Sequence, residues 1–445
     1  MTDSEPQRGP APSALALLPL LLFLALFFGS GLYFSLKGQD MAFYQLRAPL
    51  AALVAIGVAL LLARLRRADG LATLLAGMGE RNIMLMLLVF LLAGAFAELS
   101  RSIGAVDAVV NVALGVLPPG LIVPGLFLAA ALVSFAIGTS MGTLAATVPI
   151  GLGLADALGL ERTLVAAALV GGAMFGDNLS LISDTTIAAT RTQGAELRDK
   201  LRANAAIALP AALLTALWLG LAHAAPAAAL PTSADSSAWL LLPYALVLAL
   251  ALAGVNVLAV LGGGLLAALL IGALAAPAFT WTGASAALWT GMEGMTEILL
   301  LALLIGGLGA LMQAGGGLAW LLRAIERLSR GSRGRRSGEL SLAGLALGAD
   351  VLTANNTVAI VAIGPLARQV AASHAITPAR AAGLIDVFAC VAQGLLPYGA
   401  QILLAAALAS VSPLTLAGGI VYCWLLGGLA LLGILWPRPA AKGTA

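Results

Sequence analysis

Two carboxylates, Asp177 and Asp184, stand seven residues apart in the stretch Gly176-Asp-Asn-Leu-Ser-Leu-Ile-Ser-Asp-Thr-Thr186, with Asn178, Ser180, Ser183 and Thr185 around them. A carboxylate ringed by hydroxyl and amide oxygens suits a small hard cation, or a proton competing with it. Seven residues make about two helical turns, so one helix face is able to carry both acids. Three other segments hold similar chemistry. Residues 138–147 bring Thr139, Ser140 and Thr143; residues 348–357 bring Asp350, Thr353, Asn355 and Asn356; residues 383–401 bring Asp386, Gln393, Pro397, Tyr398 and Gln401. Gly and Pro in these segments free backbone amides and carbonyls that must meet protein, water or ligand. Each residue also has a structural reading. The acids are able to bond broken backbone, Asp350 with Asn355 and Asn356 to cap a half-helix, Asp386 to pair with Arg380, and Glu98 with Arg101. The hydroxyls at Thr139, Ser140, Thr143 and Thr353 are able to back-bond to helix carbonyls. Asn256 reads as helix-packing glue, and Glu293 and Glu297 as water contacts at a span's end.

The elements that must position these groups are membrane helices. The chain has 445 residues, of which 61% are hydrophobic and 10% charged; a soluble protein of this size carries about 25% charged residues. An acid at bilayer depth costs roughly 2.5–3.5 kcal/mol on insertion scales, which is why such acids line polar cavities or pathways. The 52 glycines and many alanines let helix backbones approach closely. Residues 14–36 read as a retained first helix rather than a cleaved leader. Cys390 and Cys423 read as small core residues, and the histidines, His223 and His374, form no metal cluster. No nucleotide-binding loop is visible: Gly262–Gly264 and Gly315–Gly317 lack the Lys and Ser/Thr that cradle phosphate. Neither a nucleophile–base pair nor a metal triad suggests an enzyme. The net charge of +3 does not point to nucleic acid; lipid and small ions or a small-molecule substrate are the partners expected, and a homodimer is compatible with the sequence.

Basic residues cluster at Arg64, Arg66, Arg67 and Arg81, at Arg191, Arg198, Lys200 and Arg202, and at Arg323, Arg327, Arg330, Arg333, Arg335 and Arg336. The positive-inside rule puts these loops and the N-terminus (Asp3, Glu5, Arg8) in the cytoplasm. The chain also repeats itself. Residues 91–99 match 303–311 at an offset of 212, residues 138–148 match 348–358 at 210, and the Asp177 segment falls opposite Gln393 at 216. Corresponding loops carry opposite charge habits: 104–119 is nearly free of basic residues where 323–337 is Arg-rich. The expected fold is an all-α polytopic membrane protein of two inverted-topology repeats, residues 1–225 and 237–445 joined by a polar extracytoplasmic linker at 226–236. It has broken or re-entrant helices and roughly 11–14 membrane segments, an architecture that recurs in secondary transporters.

The stretch Met174-Phe-Gly-Asp-Asn-Leu-Ser-Leu-Ile-Ser-Asp-Thr-Thr186, with Gly138-Thr-Ser-Met-Gly-Thr143 upstream, resembles the NhaC-type sodium/proton antiporters. The likeness runs over most of the chain. Many relatives carry Lys and Pro where this chain has Asn178 and Leu181, and a lysine there would tune the acids. The resemblance implies sodium coupling, with Na⁺ and H⁺ as coupling ions and no other cofactor. The expected protein is a bacterial inner-membrane Na⁺/H⁺ antiporter. Asp177 and Asp184 would hold Na⁺ or H⁺ in turn; Ser180, Ser183, Thr185 and Thr143 would replace the ion's hydration shell; Asp350, Asn355 and Asn356 would complete the site. The alternative is a Na⁺- or H⁺-coupled carrier of a small amino acid or organic acid, whose carboxylate helix N-termini would hold.

Overall fold

The computed structural model describes residues 10–37, 45–116, 118–222, 238–330 and 334–436. The linker at 226–236, His223, Arg333 and Asp3, Glu5 and Arg8 lie outside the described residues. Among the described residues every regular element is helical. The first half runs α1 (Leu18–Leu36), α2 (Ala48–Leu65), α3 (Gly70–Met78), α4 (Arg81–Ser102), α5 (Ala105–Val116), α6 (Ile122–Ile137), α7 (Ser140–Leu158), α8 (Arg162–Leu179), α9 (Asp184–Gln193) and α10 (Leu197–Ala222). The second runs α11 (Leu242–Leu252), α12 (Val257–Ala275), α13 (Trp281–Glu293), α14 (Thr296–Ala314), α15 (Gly317–Arg330), α16 (Arg335–Thr353), α17 (Asn356–Ser373), α18 (Pro378–Leu395), α19 (Ala400–Ala409), α20 (Pro413–Gly419) and α21 (Val421–Leu435). Nine helical stretches among them are long and apolar enough to cross a bilayer, ten if α20 and α21, bent by 52°, count as one; Ile122–Ile137 and Trp239–Leu252 are shorter apolar helices. This is a multi-pass membrane protein. Exposed leucines such as Leu53, Leu61, Leu213, Leu221, Leu266 and Leu270 on α2, α10 and α12 are what lipid-facing surfaces require.

The internal repeat is visible residue by residue. Helices α7, α8 and α9 begin at 140, 162 and 184, and α17, α18 and α19 begin at 356, 378 and 400, a constant separation of 216. The left-handed residues Gly138, Gly159 and Gly194 have counterparts at Ala354, Ala375 and Ser410 at that same separation, and Pro149 inside α7 answers Pro365 inside α17. Upstream the separation is 212, as left-handed Gly104 and Gly316 show. The 210-residue match of Gly138 with Gly348 is therefore six residues out of register. Glycine identity misled it: Gly348 lies inside α16 against Leu321, and the left-handed turn falls on Ala354. The segments 104–119 and 323–337, read as loops, are largely helical in α5 and α15.

The halves are interlocked by reciprocal packing. Helix α4 packs on α12 and α13, and α14 on α2 and α3; α9 packs on α17 and α18, and α19 on α7 and α8. Glycine permits two close crossings between the halves. A Cβ on Gly94 would sit 2.3 Å from the Gly291 carbonyl oxygen, and one on Gly77 would sit 2.8 Å from that of Gly306. With no hydrophobic drive between helices in lipid, such close backbone contact is a main source of association.

Candidate functional site

Four interruptions create the site. After α6, Gly138 turns left-handed (φ +74°) and Thr139 is extended, so α7 restarts at Ser140. After α16, Ala354 (φ +50°) and Asn355 do the same for α17, with Asn355 accepting from the Val358 amide at 3.0 Å. A Cβ on Gly138 would meet Ile182 at 2.6 Å, so the first two breaks of the first half are pressed together. Helix α8 stops at Leu179 and α9 restarts at Asp184; α18 stops at Leu395 and α19 restarts at Ala400, with Pro397 between them unable to donate to a helix ladder.

The N-terminal ends of α7, α9, α17 and α19 thus meet the C-terminal ends of α8 and α18 around one cavity of about 160 Å³. Its lining is symmetric: Thr139 and Asn355, Ser140 and Asn356, Asp177 and Gln393, and Thr185 and Gln401 are repeat counterparts, and all face it. Asp177 is its buried charge, 5% exposed. Oδ1 accepts from the Ser183 hydroxyl at 2.7 Å and Oδ2 from Ser140 at 3.1 Å, while Thr185 Oγ1 lies 2.9 Å from Ser183 Oγ. Gln401 Nε2 donates to Ser140 Oγ at 3.1 Å, and Gln393 Nε2 to Gln401 Oε1 at 2.7 Å. Helix N-termini carry partial positive charge and C-termini partial negative charge, so groups of both signs find partners here.

Nine of the expected residues line this cavity: Thr139, Ser140, Asp177, Ser183, Asp184, Thr185, Asn355, Asn356 and Gln393. The expected pair of buried acids is not found, because Asp184, the first residue of α9, is exposed. Six do not line the cavity. Ser180 donates to the Phe135 carbonyl at 2.8 Å, and Thr143 and Thr353 back-bond to Thr139 and Ala349, the structural role that hydroxyls inside helices commonly take. Asp350, fully buried, lies behind Gln393, whose amide is 3.2 Å from both its carboxylate oxygens. Asn178 and Asp386 belong to a second cluster. Elsewhere, Glu98 pairs with Arg101 as expected, Asn256 caps α12 instead of gluing helices, and Glu297 faces Arg47 at 3.8 Å.

That second cluster centres on Lys200, read from sequence as part of a cytoplasmic basic loop. It is wholly buried in α10. Its Nζ lies 2.6 Å from Asp386 Oδ2 and donates to the Asn178 carbonyl at 3.1 Å and to Thr186 Oγ1 at 2.6 Å. Asn178 and Asn204 donate to the same Asp386 oxygen at 3.0 and 2.9 Å. Asp386 therefore does not pair with Arg380, which binds Glu339 at 2.8 Å between α16 and α18. The Lys200 ammonium thus reaches the Asn178 backbone from another helix. Its signal was legible: Lys200 and Asn204, four apart, continue the apolar stripe of Ile207, Ala208 and Ala211 on one face of α10. Asn82 and Gln401 also line the cavity beyond the expected set.

A second cavity of about 270 Å³ is the repeat counterpart of one side of the first. The first is flanked by Asn82, Leu85, Met86 and Val89 of α4; Gly294, Glu297, Ile298 and Leu301, each 212 residues later, flank the second. Val257 at the start of α12 flanks the first and Ala48 at the start of α2 the second. Tyr398, from the α18–α19 break, lines the second cavity, donates to the Val351 carbonyl at 2.7 Å and packs edge-on to Phe23.

The model of the Na⁺/H⁺ antiporter family matches this chain twice, over residues 14–224 and 223–434. The chain belongs to that family. The double match makes the two repeats of this antiporter-family protein two copies of one unit. Among its relatives are the Malate-2H⁺/Na⁺-lactate antiporter of Bacillus subtilis (28% identical over 31% of this chain and 30% of that one) and the Na⁺/H⁺ antiporter NhaC of Bacillus subtilis (27%, over 40% and 42%). Another is the arginine/ornithine antiporter ArcD of Halobacterium salinarum (30%, over 30% and 27%). The chain spans less than half the length of each of these relatives. Among solved structures, the Alcanivorax borkumensis YdaH transporter is similar at a TM-score of 0.40 and 15% identity, over 95% of this chain and 98% of that one.

Proposed function

We propose that this chain exchanges Na⁺ for H⁺ across a bacterial inner membrane by alternating access, with its N-terminus in the cytoplasm and its two halves inverted. The observation that carries the reading is Asp177: one buried carboxylate, held by two hydroxyls, in a cavity built from the breaks of both halves. A proton and a Na⁺ ion compete for such a carboxylate, and that competition suffices for exchange. Ser140, Ser183 and Thr185 supply oxygens in place of the ion's water, while Asp184 and Asn82 stand at the cavity's edge. Alternating access draws support from the paired cavities, whose flanks along α4 and α14 are repeat counterparts. The basic clusters near α2, α9 and α15, together with the opposite charge habits of the matching segments at α5 and α15, support the orientation. The test is Na⁺-driven pH change inside proteoliposomes; full exchange in an Asp177→Asn, Asp184→Asn double variant would remove the mechanism.

A second reading is favoured by the four helix N-termini facing the cavity, which suit a carboxylate as well as they suit Asp177. The cargo would then be a small organic or amino acid moved with Na⁺ or H⁺, and the malate/lactate and arginine/ornithine relatives lend it support. Labelled-substrate exchange measured with and without Na⁺ separates the two.

A further inference from the structure

Asp177 and Asp350 are joined by an unbroken chain of polar groups crossing from one half to the other. The links are Asp177 to Ser140 at 3.1 Å, Ser140 to Gln401 at 3.1 Å, Gln401 to Gln393 at 2.7 Å, and Gln393 to Asp350 at 3.2 Å. All five side chains are at most 6% exposed. Each interior member both donates and accepts: a hydroxyl has one hydrogen and lone pairs, and a glutamine amide has an NH₂ end and a carbonyl end exchanged by a half-turn. Two directions of donation are available. In one, Ser140 donates to ionised Asp177, Gln401 to Ser140, Gln393 to Gln401, and Asp350 gives its own proton to the Gln393 carbonyl. In the other, Asp177 gives its proton to Ser140, Ser140 donates to Gln401, Gln401 to Gln393, and Gln393 to ionised Asp350. Both satisfy all four links, and each holds one proton on the pair of acids.

Of the remaining two states, the doubly ionised one fails by counting. With both acids ionised, Ser140 and Gln393 must each donate outward, and two acceptor atoms are left facing each other somewhere between them. An unmatched contact between buried polar groups is costly. With both acids protonated, Asp177 Oδ1–H donates to Ser183, whose own hydroxyl turns to Thr185, and Oδ2 still accepts from Ser140, so that state is satisfied.

We propose that the Ser140–Gln401–Gln393 relay makes Asp177 and Asp350 share their last proton, so that Asp350, though outside the cavity, is the second half of the exchange site. Cation binding at Asp177 then displaces the proton that acid holds: to solution when both acids are protonated, and along the relay to Asp350, with the amides and the hydroxyl reversing their donation, when only the last proton remains. The statement about the relay stands on the links alone; its part in exchange rests on Asp177 being the Na⁺/H⁺ carboxylate proposed above. Other charged or titratable groups surround the pair. Asp386 and Lys200 lie beyond Asn178, Asp184 is at the cavity's edge, Cys390 is behind α8, and Tyr398 is beside Asp350.

The test is a Na⁺-free pH titration of the full-length protein in lipid, following the infrared C=O band of protonated carboxyls. Asp177→Asn and Asp350→Asn each remove one titration step and thereby assign the two. In the unaltered protein the steps lie apart, and Gln393→Leu brings them at least about one pH unit closer, a tenfold change in coupling. Gln401→Leu does the same and serves if the first variant does not fold. A separation unchanged in both glutamine variants would overturn the relay, since through-space repulsion would then account for all of it. Na⁺ is added last. If it leaves the Asp177 step unmoved, the exchange reading fails while the relay stands. If it removes both protonated-carboxyl bands at a pH between the two steps, the relay fails.

Discussion

The Lys200–Asp386 pair offers a sharp test of how the second cluster supports the first. Replacing Lys200 by Met keeps the apolar stem of the side chain and removes the ammonium. At 2.6 Å, two unit charges in an effective dielectric near 20 attract by about 6 kcal/mol before any desolvation is charged against them. The ammonium also donates to the Asn178 carbonyl and to Thr186, the latter on α9. In the variant, Asp386 keeps the amides of Asn178 and Asn204 on Oδ2, while Oδ1, buried and without a hydrogen-bond partner among the described residues, leaves the charge poorly compensated. Removing one member of a buried pair costs about 3–5 kcal/mol, whereas replacing both by apolar groups is often neutral. Lys200→Met is therefore expected to lower unfolding free energy by about 3–5 kcal/mol, and the double variant with Asp386→Leu to regain most of that loss. Unfolding in mixed micelles, read by tryptophan fluorescence, measures both. A single variant within 1 kcal/mol of the original, or a double variant no more stable than the single, would refute the reasoning.

Other outcomes follow from the same geometry. Asp177→Asn should abolish Na⁺-driven exchange, while Asp184→Asn, altering an exposed group, should mainly weaken apparent Na⁺ affinity; vesicle exchange at graded Na⁺ separates the two. Gly94→Val, which places atoms where the Gly291 carbonyl already lies within 2.3 Å of a Cβ, should reduce folded yield on size-exclusion chromatography far more than Gly57→Val, whose Cβ meets nothing within 4 Å. With the two buried cysteines replaced, Met86→Cys and Ile298→Cys should react with a membrane-impermeant maleimide from opposite sides. Labelling of both from one side would exclude inverted access routes.

Much of this was legible because membrane burial makes polar residues expensive. Asp177, Ser183 and Gln393 stood out against an apolar background, and they meet in the cavity. The breaks were legible too, from Gly138 and Pro397. What failed depended on direction rather than identity. Nothing in the spacing of Asp177 and Asp184 shows that a break at 180–183 turns the second acid outward. Thr143 and Thr353 carry the same hydroxyl as Thr185, but each bonds a carbonyl one turn back, at Thr139 and Ala349. Lys200 was misplaced because a basic residue near Arg198 and Arg202 reads as surface, although its helical phase points it at Asp386. The repeat register slipped by six residues because a left-handed turn carried by alanine leaves no mark in composition.

The crossed packing of α4 with α12–α13 and of α14 with α2–α3 means that neither copy of the repeat closes its own interior. A fragment ending after α10 would leave α4 without its companions, and a fragment beginning at α11 would strand α14 in the same way. Severed between α10 and α11, the two pieces should be degraded when made singly and recover exchange when made together.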